Sequence, residues 1–262
     1  MNKELLHTFP PLNLGLLHQR GYLRDRLDHK YVFPANLLET VLTQCQNDYD
    51  ILEIDGHRTF NYITLYFDTA DKSAFTDHHR GKGGRYKLRY RHYVESNIQY
   101  LEIKWKTNKG RTHKERTAVS EGPELFQLET YTDLLKEHFG LDAGSYTRTL
   151  EVRYERMTFL HRTQPEKLTI DQHLRFQNDH DTASFEQLAI AEVKTPRNST
   201  PQFHNIMRSL GIREGGMSKY CLGMIALYPD LKYNLFKQEY LRLQKINQPD
   251  GEPIFNHTAD LG

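Results

Sequence analysis

The segment from residue 85 to residue 107 reads RYKLRYRHYVESNIQYLEIKWKT and alternates between charged and apolar side chains. It contains two predicted strands, Arg85 to Val94 and Ile98 to Thr107, joined by a short turn. Because successive residues of a strand point to opposite faces, the cations gather on one face and the aromatic and aliphatic side chains on the other. The charged face carries Lys87, Arg89, Arg91, Lys104 and Lys106, with Glu102 as its acid.

This charged face departs from the usual surface of a sheet. A solvated face normally mixes charges of both signs, since like charges opposite each other destabilise a sheet. The same parity recurs further on, where Lys114 shares a face with Arg116 and Glu192 shares one with Lys194. A face of this kind gains stability when a polyanion neutralises it, and Arg and Lys are suited to phosphate oxygens. The pattern favours an interior that binds a triphosphate or polyphosphate chain, and the alternative is an ordinary solvated face.

The remaining periodicity predicts a mostly antiparallel protein with helices between groups of strands. Further strands are predicted at Arg26 to Phe33, Phe60 to Asp68, Arg111 to Val119, Thr147 to Leu160, Lys167 to Phe176 and Phe185 to Lys194. Helices are predicted after Pro34 and at Ala70 to His79 (with Thr69 as N-cap), Glu121 to Phe139, Pro201 to Leu210, Ser218 to Tyr228 and Leu231 to Leu243. We therefore expect an α+β protein: an antiparallel β-barrel with helices packed outside it.

Composition excludes several classes of function. The 262 residues carry 35 Lys and Arg against 34 Asp and Glu, and a net charge of +1 argues against a nucleic-acid partner. No stretch approaches the ~20 apolar residues of a membrane span, and no secretory signal is recognisable. The two cysteines, Cys45 and Cys221, are expected to be reduced, buried thiols of a cytoplasmic protein. No GxxxxGK[ST] phosphate loop occurs, and Gly81 to Gly84 is expected to form a hairpin turn.

A series of short motifs resembles the VTC domain, the polyphosphate polymerase branch of the CYTH-like triphosphate tunnel metalloenzymes. The resemblance extends over about residues 22 to 228 and follows the family's order. The matching motifs are Arg26 to Pro34, Tyr66 to Thr69, Lys87 to Arg91, Leu101 to Lys104, Arg153 to Arg156, Leu168 to Asp171, Glu192 to Lys194 and Ser218 to Tyr220. The expected division of the chain is an N-terminal arm at residues 1–21, a tunnel domain at 22–245 and a polar tail at 246–262.

The resemblance also implies an activity and a set of site residues. The terminal phosphoryl group of ATP would pass to a polyphosphate chain, with Mn²⁺ or Mg²⁺ as the divalent cation. Glu192 would bind the metal, with an ion pair to a neighbouring strand cation as the alternative. Catalytic, phosphate-holding roles would fall on Lys30, Arg89, Arg91, Lys104, Arg156 and Lys219, and further phosphate contacts on Lys114, Lys167 and Lys194.

Two departures from the family pattern affect these expectations. The wider superfamily begins with ExExK, whereas Arg26 and Asp28 occupy the two acidic positions here. Loss of the first acid is typical of the VTC branch and favours it over the hydrolytic branches. Asp28 is one methylene shorter than Glu, and Lys167 stands where the family more often has Arg, which removes a bidentate phosphate contact.

Three other functions remain open at this point. A hydrolase of the same fold would release phosphate from tripolyphosphate or a nucleoside triphosphate, and a non-catalytic module would bind polyphosphate without turnover. A nucleic-acid-binding barrel is disfavoured by the balanced charge. Because relatives of the polymerase branch work with membrane partners, a separately encoded membrane partner and a peripheral position at the inner face of the membrane are further expectations. The sequence gives no indication of an oligomeric state.

Overall fold

The computed structural model describes residues 3–21, 26–108, 111–248 and 255–256. Its strands are β1 (Pro11–Leu12), β2 (Arg26–Pro34), β3 (Tyr49–Leu52), β4 (Phe60–Thr69), β5 (Arg85–Tyr93), β6 (Ile98–Lys106), β7 (Thr112–Val119), β8 (Tyr146–His161), β9 (Lys167–Gln177), β10 (Thr182–Phe185), β11 (Leu188–Pro196) and β12 (Phe255–Asn256). Its helices are α1 (Lys3–His7), α2 (Leu14–Arg20), α3 (Leu38–Cys45), α4 (Ser73–His79), α5 (Thr132–Phe139), α6 (Gln202–Ser209), α7 (Lys219–Leu227) and α8 (Lys237–Asn247).

The main wall of the molecule is a curved antiparallel sheet in the order β2-β11-β9-β8-β4-β5-β6-β7. Strand β10 extends β9, β3 extends β8, and β1 pairs with β3 in parallel. In the described part of the chain, no ladder joins the end strands β2 and β7, so the hydrogen-bonded wall is not closed. The predicted α+β class and antiparallel barrel-like architecture are confirmed.

The outer face of this sheet is apolar and covered by helices. Alternate residues such as Tyr31, Phe33 and Phe159 pack beneath α3 and α6. On the opposite side, Leu88 and Ile103 pack beneath α5 and the segment before it. Burial of these apolar side chains stabilises the curved sheet. The charged side chains at the alternating positions of the same strands therefore face inward.

Helix α7 differs from the other covering helices because it packs on the inner face. Its residues from Tyr220 to Leu227 are all buried. They contact inward-facing side chains of β2, β8 and β9, among them Val32, Val152 and Phe176. The helix therefore fills one end of the curved sheet and directs its N-terminus, at Ser218 and Lys219, toward the remaining interior.

Several predicted elements have different bounds in the structure. The helix predicted at Glu121 to Phe139 begins only at Thr132, since the Gly122-Pro123 pair disfavours helix before it. The helix predicted from Ala70 begins at Ser73. Thr69 Oγ1 accepts from Ser73 N at 3.1 Å, and the carboxylate of Asp68 accepts from the backbone N–H groups of Ala74 and Phe75. The strand predicted at Phe185 to Lys194 is two strands, β10 and β11, separated by a turn.

The ends of the chain contribute differently to the fold. In the N-terminal arm, Leu6, Phe9 and Leu12 are buried against the rest of the chain. The predicted polar tail lies largely outside the described residues, and α8 runs to Asn247. None of the described helices has both the length and the apolar character needed to cross a membrane.

Candidate functional site

The inner face of the sheet carries the predicted cations. Alternation along each strand and the cross-strand register place them on the same face of the wall. Strands β5 to β7 contribute Arg89, Arg91, Lys104 and Lys114, strands β8, β9, β11 and β2 contribute Arg156, Lys167, Lys194 and Lys30, and α7 contributes Lys219. The convergence predicted from parity is thus present in space.

Electrostatic coupling across the interior shows how closely these charges approach. Lys104 lies on β6, near one end of the wall, and its side chain is exposed. Desolvation by the surrounding protein nevertheless lowers its pKa, and the charges of Arg89 and Lys30 lower it further. The pKa of Lys194 on β11 falls to about 7, first through burial and then through cations that include Arg156 and Lys104. Side chains from opposite ends of the wall therefore interact electrostatically across the interior.

Glu102 neutralises the cations of β5 to β7. It is 1% exposed and accepts from Arg89 Nε at 2.7 Å. It also forms an ion pair with Lys114 and lies 3.9 Å from Arg91 NH1. Burial by itself would raise the pKa of Glu102, but Arg89, Arg91 and Lys114 lower it to about 2, so Glu102 is ionised.

Asp171 on β9 plays the same part for a second group of cations. Arg156 donates from Nε at 2.5 Å and from NH2 at 2.8 Å to its two carboxylate oxygens. Lys219 donates to the same carboxylate, which connects α7 to the wall. Burial opposes ionisation here too, but Arg156 and Lys219 hold the pKa of Asp171 well below its ordinary value.

Glu192 faces the interior from β11, directly opposite Lys30 on β2. It forms an ion pair with Lys194, whose Nζ is also 3.6 Å from Asp28. This ion pair lies within β11, whereas the alternative left open by the sequence was a pair with a cation of a neighbouring strand. In the described ranges, no group of three or more His, Cys, Asp or Glu residues has the geometry of a metal site.

Other interior lysines have no such acid among the described residues. Within the described chain, no carboxylate oxygen lies within 4.0 Å of the Nζ of Lys30, Lys87, Lys104 or Lys167. Burial is the largest cause of the lowered pKa of each, and it brings the pKa of Lys87 and Lys167 to about 8. Desolvated cations without a counter-ion are the groups that a bound anion stabilises most.

Aromatic rings hold the arginines in position. The guanidinium carbon of Arg156 is 5.1 Å from the ring centroid of Tyr62 and 5.3 Å from that of Tyr154. Arg91 lies 5.7 Å from the Tyr62 ring, and Arg89 NH1 donates to Tyr66 Oη at 3.3 Å. Stacking and hydrogen bonding limit side-chain rotation, so the planar forks are oriented before a ligand binds.

The N-terminus of α7 is fixed by contacts on both sides. Ser218 Oγ caps the helix by accepting from Cys221 N at 3.2 Å. Tyr220 Oη donates to the buried carboxylate of Asp68, which also caps α4. Gly216 passes so close to β2 that a Cβ there would lie 3.0 Å from Lys30 Cδ. These contacts set Lys219 and Lys30 side by side.

Four interior residues were not among the predicted site residues. Glu102 and Asp171 occur in the motifs and have the inward parity, but a lone acid among cations gives no indication of its burial. His78 precedes the Gly81 to Gly84 turn and accepts from Lys87 Nζ at 2.5 Å, a contact that depends on how α4 folds back over β5. Lys87 itself could be found from its parity with Arg89.

Comparisons with known proteins identify the family of this chain. The family model described as VTC domain matches residues 25–228. A search of curated proteins finds no match. The crystal structure of a putative adenylate cyclase from Bacillus halodurans is similar with a TM-score of 0.50 and 12% identity, covering 74% of this chain and 94% of that one. A putative adenylyl cyclase from Hippeastrum, described as having a dominant triphosphatase activity, has a TM-score of 0.47 and 16% identity, covering 76% and 95%.

Proposed function

Because this chain belongs to the VTC domain family, we propose that it is a polyphosphate polymerase-type phosphotransferase that moves the terminal phosphoryl group of ATP to a polyphosphate chain. One observation carries the proposal: cations from β2, β5, β6, β8, β9, β11 and α7 meet in one interior, and only some of them have an acid partner. An elongated polyanion matches this distribution better than a single compact anion does.

Phosphate binding would divide between two kinds of cation. Arg89, Arg91 and Arg156 are oriented by acids and rings and offer their remaining N–H groups in a planar fork. Lys30, Lys104 and Lys167 lack an acid partner among the described residues and would act as point charges along the chain. Lys114, Lys194 and Lys219 would share their charge between their carboxylate partners and the ligand.

The acids of β2 and β11 are the candidate ligands of a divalent cation. Asp28 and Glu192 face the interior from neighbouring strands, and both lie against Lys194 Nζ, which a metal ion between them would displace. Mg²⁺ is typically bound by one or two carboxylates together with substrate phosphates and waters, so Glu192, with Asp28 beside it, would hold Mg²⁺ or Mn²⁺. When bound, the metal supplies charge stabilisation to the donor phosphate oxygens.

The chain's own residues would do the remaining work by alignment. Phosphoryl transfer requires mainly that the attacking and leaving oxygens lie in line and that developing charge is neutralised. Two groups of cations, Arg89 with Arg91 on β5 and Arg156 on β8 with Lys219 on α7, would hold donor and acceptor phosphates along one axis. A terminal polyphosphate oxygen is itself the nucleophile, so no protein nucleophile is needed.

The test is to incubate the full chain with ATP and Mn²⁺ and to resolve the products by length on a gel. The proposal expects long polymer and ADP. Release of free phosphate alone would indicate a hydrolase, and tight polyphosphate binding without turnover would indicate a binding module; either result would overturn the polymerase assignment. Glu192→Gln is expected to abolish turnover, whereas Glu186→Gln, which alters an exposed acid paired with Arg175 outside the tunnel, is expected to leave it unchanged.

A separately encoded membrane partner that receives the product, with this protein held at the inner face of the membrane, is part of the same proposal. Its motivation is that the polymerases that this chain resembles work with membrane partners. Affinity capture of the tagged protein from solubilised membranes should recover an integral membrane protein. Recovery of the chain alone would count against the partner and leave the enzymatic assignment in place.

A further inference from the structure

Lys87 lies at the end of the interior where α7 begins. Its Nζ donates to His78 Nδ1 at 2.5 Å and to Ser218 Oγ at 3.3 Å, and it lies 5.3 Å from the ring centroid of Tyr220. Lys87 lies on the same face of β5 as Arg89 and Arg91, so its ammonium group faces the same interior. The charge of Lys87 is thus held between α4 and α7 at the inner wall of the tunnel.

We propose that Lys87 is a further phosphate-binding residue of this tunnel and that His78 is its positioning residue. The inference rests on the proposed function, since it assigns a ligand contact within the same site. In this proposal, Lys87 contacts the phosphate group nearest the N-terminus of α7.

Lys87 differs from Arg89 in the kind of partner that holds it. Arg89, one interior position along β5, is neutralised by the carboxylate of Glu102. Lys87 is instead held by an imidazole nitrogen and a hydroxyl, which are neutral acceptors. A neutral acceptor fixes the direction of the ammonium group without cancelling its charge, so the charge remains available to an anion.

The protonation state of His78 determines whether its ring can accept from Lys87. Burial, followed by Lys87 and Arg85, lowers the pKa of His78 to about 3, so the ring is neutral under ordinary conditions. Nδ1 accepts from Lys87, which leaves the ring proton on Nε2, and Cys221 Sγ lies 3.0 Å from the same Nδ1. His78 therefore serves as an acceptor for Lys87 and adds no charge of its own.

Lys30, Lys104 and Lys219 would share the bound phosphate group with Lys87. Lys30 and Lys104 both lower the pKa of Lys87, so their charges reach the same region from β2 and β6. Ser218, which contacts Lys87, is the cap residue directly before Lys219. A phosphate group held by these lysines lies within reach of Lys87, and its oxygens would replace the water lost by the desolvated ammonium group.

The groups that face Lys87 come from five elements, and all bear on its titration. They are Lys30 on β2, Tyr66 on β4, His78 on α4, Lys104 on β6, and Tyr220 and Cys221 on α7. Burial brings the pKa of Lys87 to about 8, with Cys221 and Tyr66 opposing the decrease and Lys104 and Lys30 adding to it. A bound phosphate would raise this pKa, so binding at pH 8 should draw protons from the buffer.

The experiment is calorimetric titration of the full chain with tripolyphosphate at pH 8, in two buffers of different ionisation enthalpy. Lys87→Met is expected to weaken binding roughly tenfold to a hundredfold, the range of a charge-assisted hydrogen bond, and to reduce the number of protons taken up. His78→Leu is expected to weaken binding less, and His78→Asn, which restores an acceptor near Nδ1, to recover most of the loss. Lys136→Met makes the same change on the exposed surface of α5 and should alter neither quantity.

Lys87→Arg provides a second variant that keeps the charge. It should retain binding at pH 9.5, where the wild type has weakened, and take up fewer protons, because Arg stays protonated. Wild-type affinity and proton uptake in Lys87→Met would overturn the role of Lys87 and leave the proposed function standing. Absence of tripolyphosphate binding in the wild-type protein would overturn both.

Discussion

Arg89 and Glu102 are directly opposite in the register of β5 and β6, and their side chains meet on the inner face with Arg89 Nε 2.7 Å from Glu102 Oε2. The same carboxylate contacts Lys114 from the next strand. The cation-rich wall therefore contains a buried counter-ion of its own, which stabilises the fold when no ligand is bound. Asp171 does the same for Arg156 and Lys219 on the other side of the tunnel.

Glu102→Gln should destabilise the unliganded protein by roughly 2 to 4 kcal/mol, somewhat below the cost of breaking a fully buried pair because water reaches Lys114. Tripolyphosphate should recover more stability in this variant than in the wild type, since the ligand replaces the missing negative charge. Denaturant unfolding with and without tripolyphosphate measures both effects. Glu115→Gln, on the exposed opposite face of β7, should change neither. Equal ligand-induced stabilisation of Glu102→Gln and wild type would contradict the counter-ion role.

Acid should reveal the same carboxylate through the pH dependence of stability. The pKa of Glu102 is lowered from 4.5 to about 2 in the folded protein, so the unfolded state binds the proton first as pH falls. The contribution of Glu102 is therefore fully present above about pH 4.5 and is lost as pH falls toward 2. Thermal unfolding between pH 6 and pH 2.5 should show a shallower decline for Glu102→Gln than for the wild type. Parallel curves would mean that Glu102 is not ionised in the folded protein.

The sequence predicted the tunnel well because strand parity is a local property. The two faces of β5 and β6 follow directly from alternation, and the structure places Arg89, Arg91 and Lys104 on the inner face as expected. Order along the chain and turn residues were enough to find most strands. The short strand β3 was missed because four residues are too few to show a period.

The missing parts of the prediction are those that depend on contacts distant in sequence. Helix α7 is apolar on all sides, which indicates burial but does not say on which face of the sheet it packs. Its interior position brings Ser218 to Lys87, 131 residues earlier in the chain. The burial of Glu102 and Asp171 likewise depends on neighbouring strands. The residue pattern alone does not distinguish these two acids from acids on the surface.

Tripolyphosphate binding should respond to pH through the lysines of β7 and β9. Burial, with nearby cations contributing, lowers the pKa of Lys167 to about 8, and burial and Arg89 lower that of Lys114 to about 8 against the opposing effect of Glu102. Binding requires the protonated form, so affinity should fall as pH rises above 8, by roughly tenfold per pH unit for each lysine that must be recharged. Calorimetry at constant ionic strength should show a flatter profile for Lys167→Arg than for the wild type. The ligand's own titration is common to both proteins, and identical profiles would exclude Lys167 from the site.

Gly223→Ala tests whether α7 fixes the end of the tunnel from inside the sheet. In an isolated helix this change would stabilise by about 1 kcal/mol, since Gly is a poor helix former. Here a Cβ would lie 2.5 Å from Phe176 Cδ1 and 2.7 Å from Leu150 Cδ2, so we expect a net loss of about 1 to 3 kcal/mol from overpacking. Displacement of α7 should also move Lys219 away from Asp171 and weaken tripolyphosphate binding. Gly144→Ala is the matched control, because its Cβ would lie 3.6 Å from Asp142 Oδ1 and cause no clash. A stabilised Gly223→Ala protein with wild-type affinity would mean that α7 does not pack against β8 and β9 as described.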